Sequence, residues 1–268
     1  MQKASQLLNK YTNVVLFGAA KSAGKTTFSL SAPYSPTLLL QYSTGTVTVP
    51  PGVDADQIYV EQYNEDMDVM SSTTDKWKRN KEVGARVFSD LLEIEAAFKA
   101  GRPIKIGTEE VPLPATLVLD DATFLSDYAI SWVCAINNIT DPETWKQWGK
   151  RTQVVLSFLR RAVRLPCNTI FTVWETVDKD EKGKLLAKWP DLGGKLDYRA
   201  MGLVDACLYC YSQKEAQGTK FYVKTRSDGM IQGCGVRNNY SLHDDIDVTI
   251  DPKKPHPLPF ERIFGGTK

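Results

Sequence analysis

A short loop containing glycine and lysine constrains this chain more than any other feature. The segment Ala19–Thr26 reads AAKSAGKT and directly follows the glycine that ends the apolar run Asn13–Phe17. It fits a pattern of Ala or Gly, four residues of any type, and then Gly-Lys-Ser/Thr. In such a loop, backbone N–H groups converge at the start of a helix and bind phosphate oxygens. We therefore expect a strand, a phosphate-binding loop and a helix over Thr26–Ser31, with a chance match as the alternative.

The chemistry of such a loop assigns a role to its polar residues. Lys25 is expected to contact the β- and γ-phosphates of a nucleoside triphosphate, and the Thr26 hydroxyl is expected to bind Mg²⁺. Gly24 lets the backbone approach the phosphate, whereas the Lys21 side chain is expected to face solvent. The predicted nucleotide-contacting residues are Ala20, Lys21, Ser22, Ala23, Gly24, Lys25, Thr26 and Thr27.

Two aspartates follow the apolar run Thr116–Leu119, which predicts a buried strand. Asp120 comes first and is predicted to complete the Mg²⁺ site with Thr26. Asp121 is predicted to orient the water that attacks the γ-phosphate. As an alternative, both carboxylates form a strand-terminal turn or cap a helix. The phosphate loop upstream favours the metal-binding role.

Composition places the chain among ordinary globular proteins. It has 268 residues, of which 42% are hydrophobic and 24% are charged, and a formal net charge of +1. Nucleic acid could therefore be bound only through a local basic patch. No apolar run approaches the roughly 18 residues that a membrane span requires. The scattered cysteines are typical of a reducing compartment, so we expect a cytoplasmic protein without a membrane partner.

Apolar runs alternate with helical patterns along the chain, which predicts an α/β fold. Hydrophobic residues recur at helical spacing over Lys81–Ala100, whereas Met67–Asn80 is expected to be an ordered or mobile loop. One domain is expected over residues 1–243, and the proline-rich stretch 244–268 is expected to run extended over its surface. Further strands are predicted at Thr37–Leu40, Gln57–Val60, Thr169–Val173, Ala206–Tyr211 and Lys220–Thr225.

The segment Trp145–Arg164 contains six basic residues and no acidic ones, which predicts an amphipathic helix with a basic face. Trp145 and Trp148 are expected on the opposite, apolar side. A basic face suits a nucleic-acid backbone, because each neutralised phosphate releases counterions. The alternative is a solvated face that acids on neighbouring elements balance. The predicted DNA contacts are Lys146, Lys150, Arg160, Arg161 and Arg164.

These motifs together resemble those of a known family. The phosphate loop, the LVLDD strand end at residues 117–121 and TIFTVWE at residues 169–175 are similar to segments of phage nucleotide-binding proteins of the RecA-like P-loop class. The similarity covers roughly residues 13–240 and includes the turn Pro190–Lys195. Within that class, the chain resembles the single-strand-annealing and recombination ATPases.

The resemblance implies a RecA-like core: a mostly parallel central sheet flanked by helices, with antiparallel strands toward the C-terminus. It implies ATP and Mg²⁺ as cofactors, a homo-oligomer, and single-stranded DNA and a single-strand-binding protein as partners in the cytoplasm of an infected bacterium. In relatives, basic residues reach the nucleotide of a neighbouring subunit. The resemblance implies Lys224, Arg226 and Arg237 for this role.

The chain departs from the family pattern after its second strand. Relatives carry a glutamate there that polarises the attacking water, whereas this chain reads QYS at residues 41–43. Asp121, Glu61 or Glu175 could replace it, and the predicted catalytic residues are Lys25, Asp121 and Glu175. The expected function is an ATP-hydrolysing recombination protein that acts on single-stranded DNA. The alternatives are a nucleotide-gated interaction module with little or no hydrolysis and, sharing only the loop, a small-molecule or nucleotide kinase.

Overall fold

A computed structural model describes residues 11–21, 23–43, 45–63, 73–138, 145–193, 196–216, 218–237 and 243–265. Its strands are β1 (Asn13–Gly18), β2 (Thr37–Gln41), β3 (Ile58–Gln62), β4 (Ile104–Ile106), β5 (Glu109–Val111), β6 (Thr116–Asp120), β7 (Asn168–Lys179), β8 (Leu185–Asp191), β9 (Ala206–Glu215), β10 (Gly218–Lys224), β11 (Gly235–Val236) and β12 (Asp245–Asp247). Its helices are α1 (Lys25–Leu30), α2 (Thr73–Ala100), α3 (Leu125–Ile136), α4 (Trp145–Ala162), α5 (Leu196–Met201) and α6 (Pro259–Phe264), with short 3-10 helices at Ala55–Gln57 and Ala122–Phe124.

The main sheet joins ten of these strands, while β4 and β5 form a separate hairpin. Its centre is parallel, in the order β9–β1–β7–β6–β2–β3. Antiparallel strands add to it: β8 on β7, β10 and β11 on β9, and β12 on β10. This architecture confirms the expected fold class. The carboxyl end of the sheet, where the parallel strands finish, holds the phosphate loop because that loop leaves β1 between β7 and β9.

Two layers of apolar side chains cover the two faces of the sheet. Val15 and Phe17 of β1 pack in the cluster that contains α2, α3, α4 and α5. Val14 and Leu16 pack in the cluster that contains α1 and α6. Burial on both faces explains why β1 is a continuous apolar run. No helix in the described ranges is both long and apolar enough to cross a membrane.

One helical region corrects the expectation from sequence, and a second confirms it. Helix α2 begins at Thr73, so the loop predicted over Met67–Asn80 is wrong for residues 73–80, whereas residues 67–72 lie outside the described part. The additional residues include several Lys and Arg, which favour helix without adding apolar periodicity. Helix α4 runs unbroken through Gly149, as its prediction required.

The C-terminal stretch is not extended throughout, so that prediction is wrong. Strand β12 pairs with β10, and α6 packs against α1. Phe260 is only 1% exposed, and its ring centroid lies 6.1 Å from that of Phe28 and 6.4 Å from that of Tyr34. Pro259 fits the first turn of α6 because its fixed φ suits a helix start. The tail therefore contributes to the core, and the proposed boundary at residue 243 stays a prediction.

We expect Phe260→Ala to lower the free energy of unfolding by about 3–5 kcal/mol, because it removes a buried ring and leaves a cavity. Urea unfolding followed by far-UV circular dichroism measures the change. Leu186→Ala is the control: this side chain is 52% exposed, and its loss should cost less than about 1 kcal/mol. An equally small change for Phe260→Ala would show that α6 does not pack as described.

Candidate nucleotide site

The phosphate loop starts where β1 comes unusually close to β9. Gly18 ends β1, and a Cβ atom added there would lie 2.2 Å from the carbonyl oxygen of Cys210. Any side chain would therefore push the two strands apart. No sequence pattern predicts this requirement, because it arises from the pairing of β1 with a strand nearly two hundred positions later (Gly18 opposite Cys210).

Gly24 is constrained in a different way. Its φ is +78°, in the left-handed region, and a Cβ atom there would lie 3.0 Å from the Phe221 ring of β10. Conformation and packing thus both favour glycine at the last position before α1. The helix begins at Lys25, one residue before its predicted start. Of the other predicted loop residues, Ala20 and Lys21 are exposed, Ala23 is buried, Thr26 and Thr27 are half-buried, and Ser22 lies outside the described residues.

Lys25 closes the loop. Its side chain is buried, at 5% exposure for the residue, and its Nζ donates a hydrogen bond of 2.6 Å to the carbonyl oxygen of Ala19. The ammonium group is therefore held across the first turn of the phosphate loop rather than in solvent. The predicted contact of Lys25 with phosphate oxygens stays a prediction.

Asp120 joins three elements at the carboxyl end of the sheet. The Thr26 hydroxyl on α1 donates to its Oδ2 atom at 2.9 Å. The buried Thr172 hydroxyl on β7 donates to its Oδ1 atom. Thr26 and Asp120, the predicted metal ligands, are therefore in direct contact. A hydroxyl and a carboxylate are hard oxygen donors, so this pair fits Mg²⁺.

Asp121 lies beside this pair in an unusual electrostatic setting. Burial raises its pKa to about 7; the positive charge of Lys25 opposes this rise and the carboxylate of Asp120 adds to it. The Thr123 hydroxyl donates to Asp121 Oδ1 at 3.3 Å and accepts a hydrogen bond of 2.8 Å from the backbone N–H of Trp174. The structure thus brings Lys25, Asp120 and Asp121 together, as predicted.

The end of β2 carries an amide where relatives are expected to carry an acid. Gln41 pairs in register with Asp120 and is buried. Its amide donates to the Gly45 carbonyl at 2.5 Å and its side-chain oxygen accepts from Gln62 at 2.6 Å. Glu61, one suggested substitute, forms an ion pair with Arg86 on α2. The side chains of Gln41 and Glu61 are therefore both bonded to neighbouring groups.

Glu175, a predicted catalytic residue, has other partners. Lys188 on β8 donates to both of its carboxylate oxygens, at 2.9 and 3.2 Å, and to the hydroxyl of Tyr209 at 2.9 Å. Glu175 and Thr172 are three residues apart on β7, so their side chains leave opposite faces of the strand. Thr172 faces Asp120, and the described contacts of Glu175 do not include that carboxylate. Its catalytic role remains a prediction without support from this geometry.

The three residues predicted to act on a neighbouring subunit do not lie at one end of the sheet. Lys224 pairs in register with Tyr209 near the carboxyl end, and it contacts Asp228 and Asp245 at 3.2 Å each. Arg226 is exposed and lies 3.4 Å from Asp244. Arg237 follows β11 near the start of β9, and it donates to the Gly202 carbonyl at 2.8 Å.

The basic residues of α4 divide into two groups. Lys146 and Lys150 are exposed near the start of the helix, and Lys150 donates to Asn137 at 3.1 Å. The neighbouring Arg151 contacts the Trp148 ring at 4.9 Å, and this ring is 44% exposed, so its predicted burial on the apolar side is wrong. The Trp145 side chain lies outside the described residues.

The second group lies at the opposite end of α4. Arg160, Arg161 and Arg164 are exposed just before β7 begins at Asn168. Arg161 bonds Glu95 on α2 at 2.8 Å, as the alternative of balancing acids predicts. The two groups are about 15 Å apart along the helix, at 1.5 Å per residue, so they do not form one continuous basic face.

No curated protein matches the sequence. Among solved structures, the chain is similar to a KaiC-like protein of the hyperthermophilic archaeon Pyrococcus horikoshii OT3, with 15% identity, a TM-score of 0.44, and coverage of 91% of this chain and 87% of that chain. The model of the family AAA_24, described as an AAA domain, matches residues 10–233, a span that contains the phosphate loop and Asp120. The chain therefore belongs to this AAA domain family of P-loop ATPases.

Proposed function

We propose that the chain is a Mg²⁺-dependent ATPase of the recombination type that acts on single-stranded DNA in the cytoplasm. One observation carries the nucleotide part of the proposal: Thr26 and Asp120 are already hydrogen-bonded beside Lys25. Membership of the AAA domain family supports nucleotide binding and hydrolysis in general. The choice of ATP and Mg²⁺, and the action on DNA, extend that general statement.

Different residues of the site would bind Mg²⁺ and the phosphate oxygens. Bound Mg²⁺ would neutralise charge that develops on the phosphate oxygens. Thr26 and Asp120 would hold the ion, and Thr172 fixes the orientation of the Asp120 carboxylate through its hydrogen bond. Lys25 would exchange its backbone acceptor, the Ala19 carbonyl, for anionic phosphate oxygens, which make stronger charge-assisted hydrogen bonds.

Asp121 is the acid best placed to accept a proton from the attacking water. A general base works best when its pKa lies near the working pH, and burial raises the pKa of Asp121 to about 7. Thr123 orients its carboxylate, while Glu61 and Glu175 are held by Arg86 and Lys188. We therefore assign the role of the missing glutamate to Asp121.

A nucleotide-gated interaction module is the second candidate. The observation that favours it is Gln41, which stands beside Asp120 and is bonded to Gln62 and Gly45. With an amide there, ATP binding could change the surface of the protein without rapid hydrolysis. The behaviour of an Asp121 variant separates the two candidates.

The DNA part of the proposal rests on Lys146 and Lys150. Asp191, at the end of β8, pairs with Trp174 of β7, and Trp174 pairs with Gly18 at the phosphate loop. Gly193 follows Asp191 by two residues and lies close to Arg151 of α4: a Cβ atom on Gly193 would be 3.3 Å from the Arg151 guanidinium. The start of α4 therefore lies toward the nucleotide end of the molecule. DNA bound there would be placed to influence hydrolysis.

Assembly into a homo-oligomer is a further part of the proposal. Arg226 and Arg237 are exposed and would be accessible to a neighbouring subunit, whereas Lys224 is held by two aspartates. A basic residue supplied in trans would stabilise charge on the transferred phosphoryl group. A single-strand-binding protein is the proposed protein partner on DNA.

Lys25→Ala should weaken ATP binding by about 10- to 100-fold, because it removes a charged hydrogen-bond donor to the phosphates. Isothermal titration calorimetry with ATP and Mg²⁺ measures the affinity. Lys182→Ala is the matched control: it removes the same charge from an exposed turn outside the loop and should change the affinity by less than about threefold. Equal affinities for Lys25→Ala and the parent protein would overturn the nucleotide site.

Asp121→Asn should separate hydrolysis from ATP binding. We expect hydrolysis to fall by about 10²- to 10⁴-fold with ATP affinity retained, because the variant loses its general base. The parent rate should rise with pH as Asp121 ionises around pH 7. A phosphate-release assay from pH 5.5 to 8.5 measures both. A variant that hydrolyses ATP at the parent rate would remove Asp121 from catalysis, and a parent without measurable hydrolysis would favour the interaction module.

The same substitution should stabilise the nucleotide-free protein above pH 7. Because the pKa of Asp121 is higher in the folded state than its unfolded value of about 4, the folded state binds more protons between these values. Stability is therefore lost as pH rises from about 4 through about 7, by at most about 4 kcal/mol. Asn has no charge and avoids this loss. The control Asp56→Asn replaces an exposed carboxylate, so its stability should fall with pH as in the parent protein. Thermal melts at pH 5 and pH 8 test the sign.

Single-stranded DNA should stimulate hydrolysis, and Lys146→Ala/Lys150→Ala should reduce this stimulation. If both lysines contact phosphates, the slope of log affinity against log salt for a thirty-nucleotide oligothymidylate should decrease by about 1.4, at about 0.7 per contact. Fluorescence anisotropy between 50 and 200 mM NaCl measures it. Lys253→Ala/Lys254→Ala removes equal charge from an exposed loop elsewhere and should keep the parent slope. An unchanged slope in the α4 variant would refute the contact.

A further inference from the structure

A groove of about 630 Å³ separates the C-terminal ends of α2 and α4. Its apolar lining consists of Phe98, Leu156, Leu165 and Pro166. It lies at the amino end of the sheet, because Leu165 and Pro166 immediately precede β7 and the phosphate loop follows the opposite end of β1. The groove is therefore separate from the nucleotide site. Its volume falls in the range of sites that hold a small ligand or a few residues of a peptide.

The rim of this groove carries a strong excess of positive charge. Lys99 and Arg161 both bond Glu95, each at 2.8 Å. Arg160 and Arg164 also line the groove and are exposed, and neither forms an ion pair within the part of the chain that the structure describes. Four cations and one carboxylate thus line the groove. Two of them remain available for an anionic group that enters from solvent.

Acidic peptide and nucleic acid are the two classes of partner that such a rim could attract. A nucleic-acid backbone would supply phosphates to the arginines but no aliphatic side chain to the apolar floor. The described lining includes one aromatic residue, Phe98, which is partly buried against the core, whereas single-stranded nucleic acid is held by successive bases stacked on several aromatic rings. Two unpaired arginines above an apolar floor instead match a segment with carboxylates next to an apolar side chain.

We propose that this groove docks an acidic peptide segment of a partner protein. One or two carboxylates would bond Arg160 and Arg164, and an adjacent leucine or phenylalanine would occupy the floor formed by Phe98, Leu156 and Leu165. The proposal goes beyond the ATPase and DNA functions and does not depend on them, since it uses neither the nucleotide site nor Lys146 and Lys150, on which the proposed DNA contact rests. It reassigns Arg160 and Arg164, which the sequence predicted as DNA contacts, to a protein partner.

The test is binding of labelled peptides to the full chain, followed by fluorescence anisotropy. The probes are fluorescein-Ser-Asp-Asp-Glu-Leu-Phe and fluorescein-Ser-Asp-Glu-Leu-Phe-Asp. We expect at least one to bind with a Kd below about 1 mM. Replacing its acids by Asn and Gln, or its Leu-Phe by Ala-Ala, should weaken binding by about tenfold or more, because the site requires both charge and an apolar anchor.

Two variants make the result specific to the groove. Arg160→Ala/Arg164→Ala should weaken peptide binding about tenfold, whereas Lys253→Ala/Lys254→Ala, with the same loss of charge, should not. Glu95→Gln should strengthen binding about threefold, because it removes a competing carboxylate and frees Lys99 and Arg161. A merely structural role of Glu95 would not increase affinity. Thermal melts confirm that each variant is folded.

Three results would overturn the proposal. The first is a Kd above about 1 mM for both peptides. The second is an Arg160→Ala/Arg164→Ala variant that binds peptide as tightly as the parent protein. The third is a twenty-nucleotide oligothymidylate that binds more tightly than the peptides and depends equally on Arg160 and Arg164, which would make the groove a nucleic-acid site. None of these results depends on ATP affinity or hydrolysis, so they leave the proposed ATPase function to its own tests.

Discussion

The carboxylate of Asp120 joins the elements of the candidate nucleotide site. One oxygen accepts from Thr26 at the start of α1, and the other accepts from Thr172 on β7. Three elements that are distant in sequence are thereby joined at one side chain. The carboxylate is buried, so each hydrogen bond also compensates for water that it has lost. This side chain therefore links the start of α1 to the two strands beside it.

The part of the site that could be predicted from sequence is the part encoded by local spacing. The interval from Gly24 to Thr26 follows from the chemistry of a single turn, and Asp120 follows directly from an apolar run. The strands β1, β2 and β6 were predictable because both of their faces are buried, which leaves continuous apolar runs. These features depend on residues that are neighbours in the chain.

The rest depends on which strands lie side by side, and no local pattern contains that information. Thr172 and Thr123 have roles only because β7 lies beside β6, and Glu175 is occupied only because Lys188 returns to it on β8. The C-terminal helix has a similar cause: four nearby prolines suggest extended chain, but Phe260 gains more by burial against Phe28. Tertiary packing therefore overrides the local signal in each case.

Distance separates the two charged regions of the molecule. The six steps of β7 from Asn168 to Trp174 span about 20 Å, at about 3.3 Å per residue. This exceeds the screening length of about 8 Å at physiological salt, so the arginines of the groove contribute little to the potential at the phosphate loop. The raised pKa of Asp121 must then arise locally: burial and the Asp120 carboxylate raise it, and the positive charge of Lys25 opposes them. Any influence of a groove ligand on hydrolysis would have to pass through the packing of α4 and not through charge.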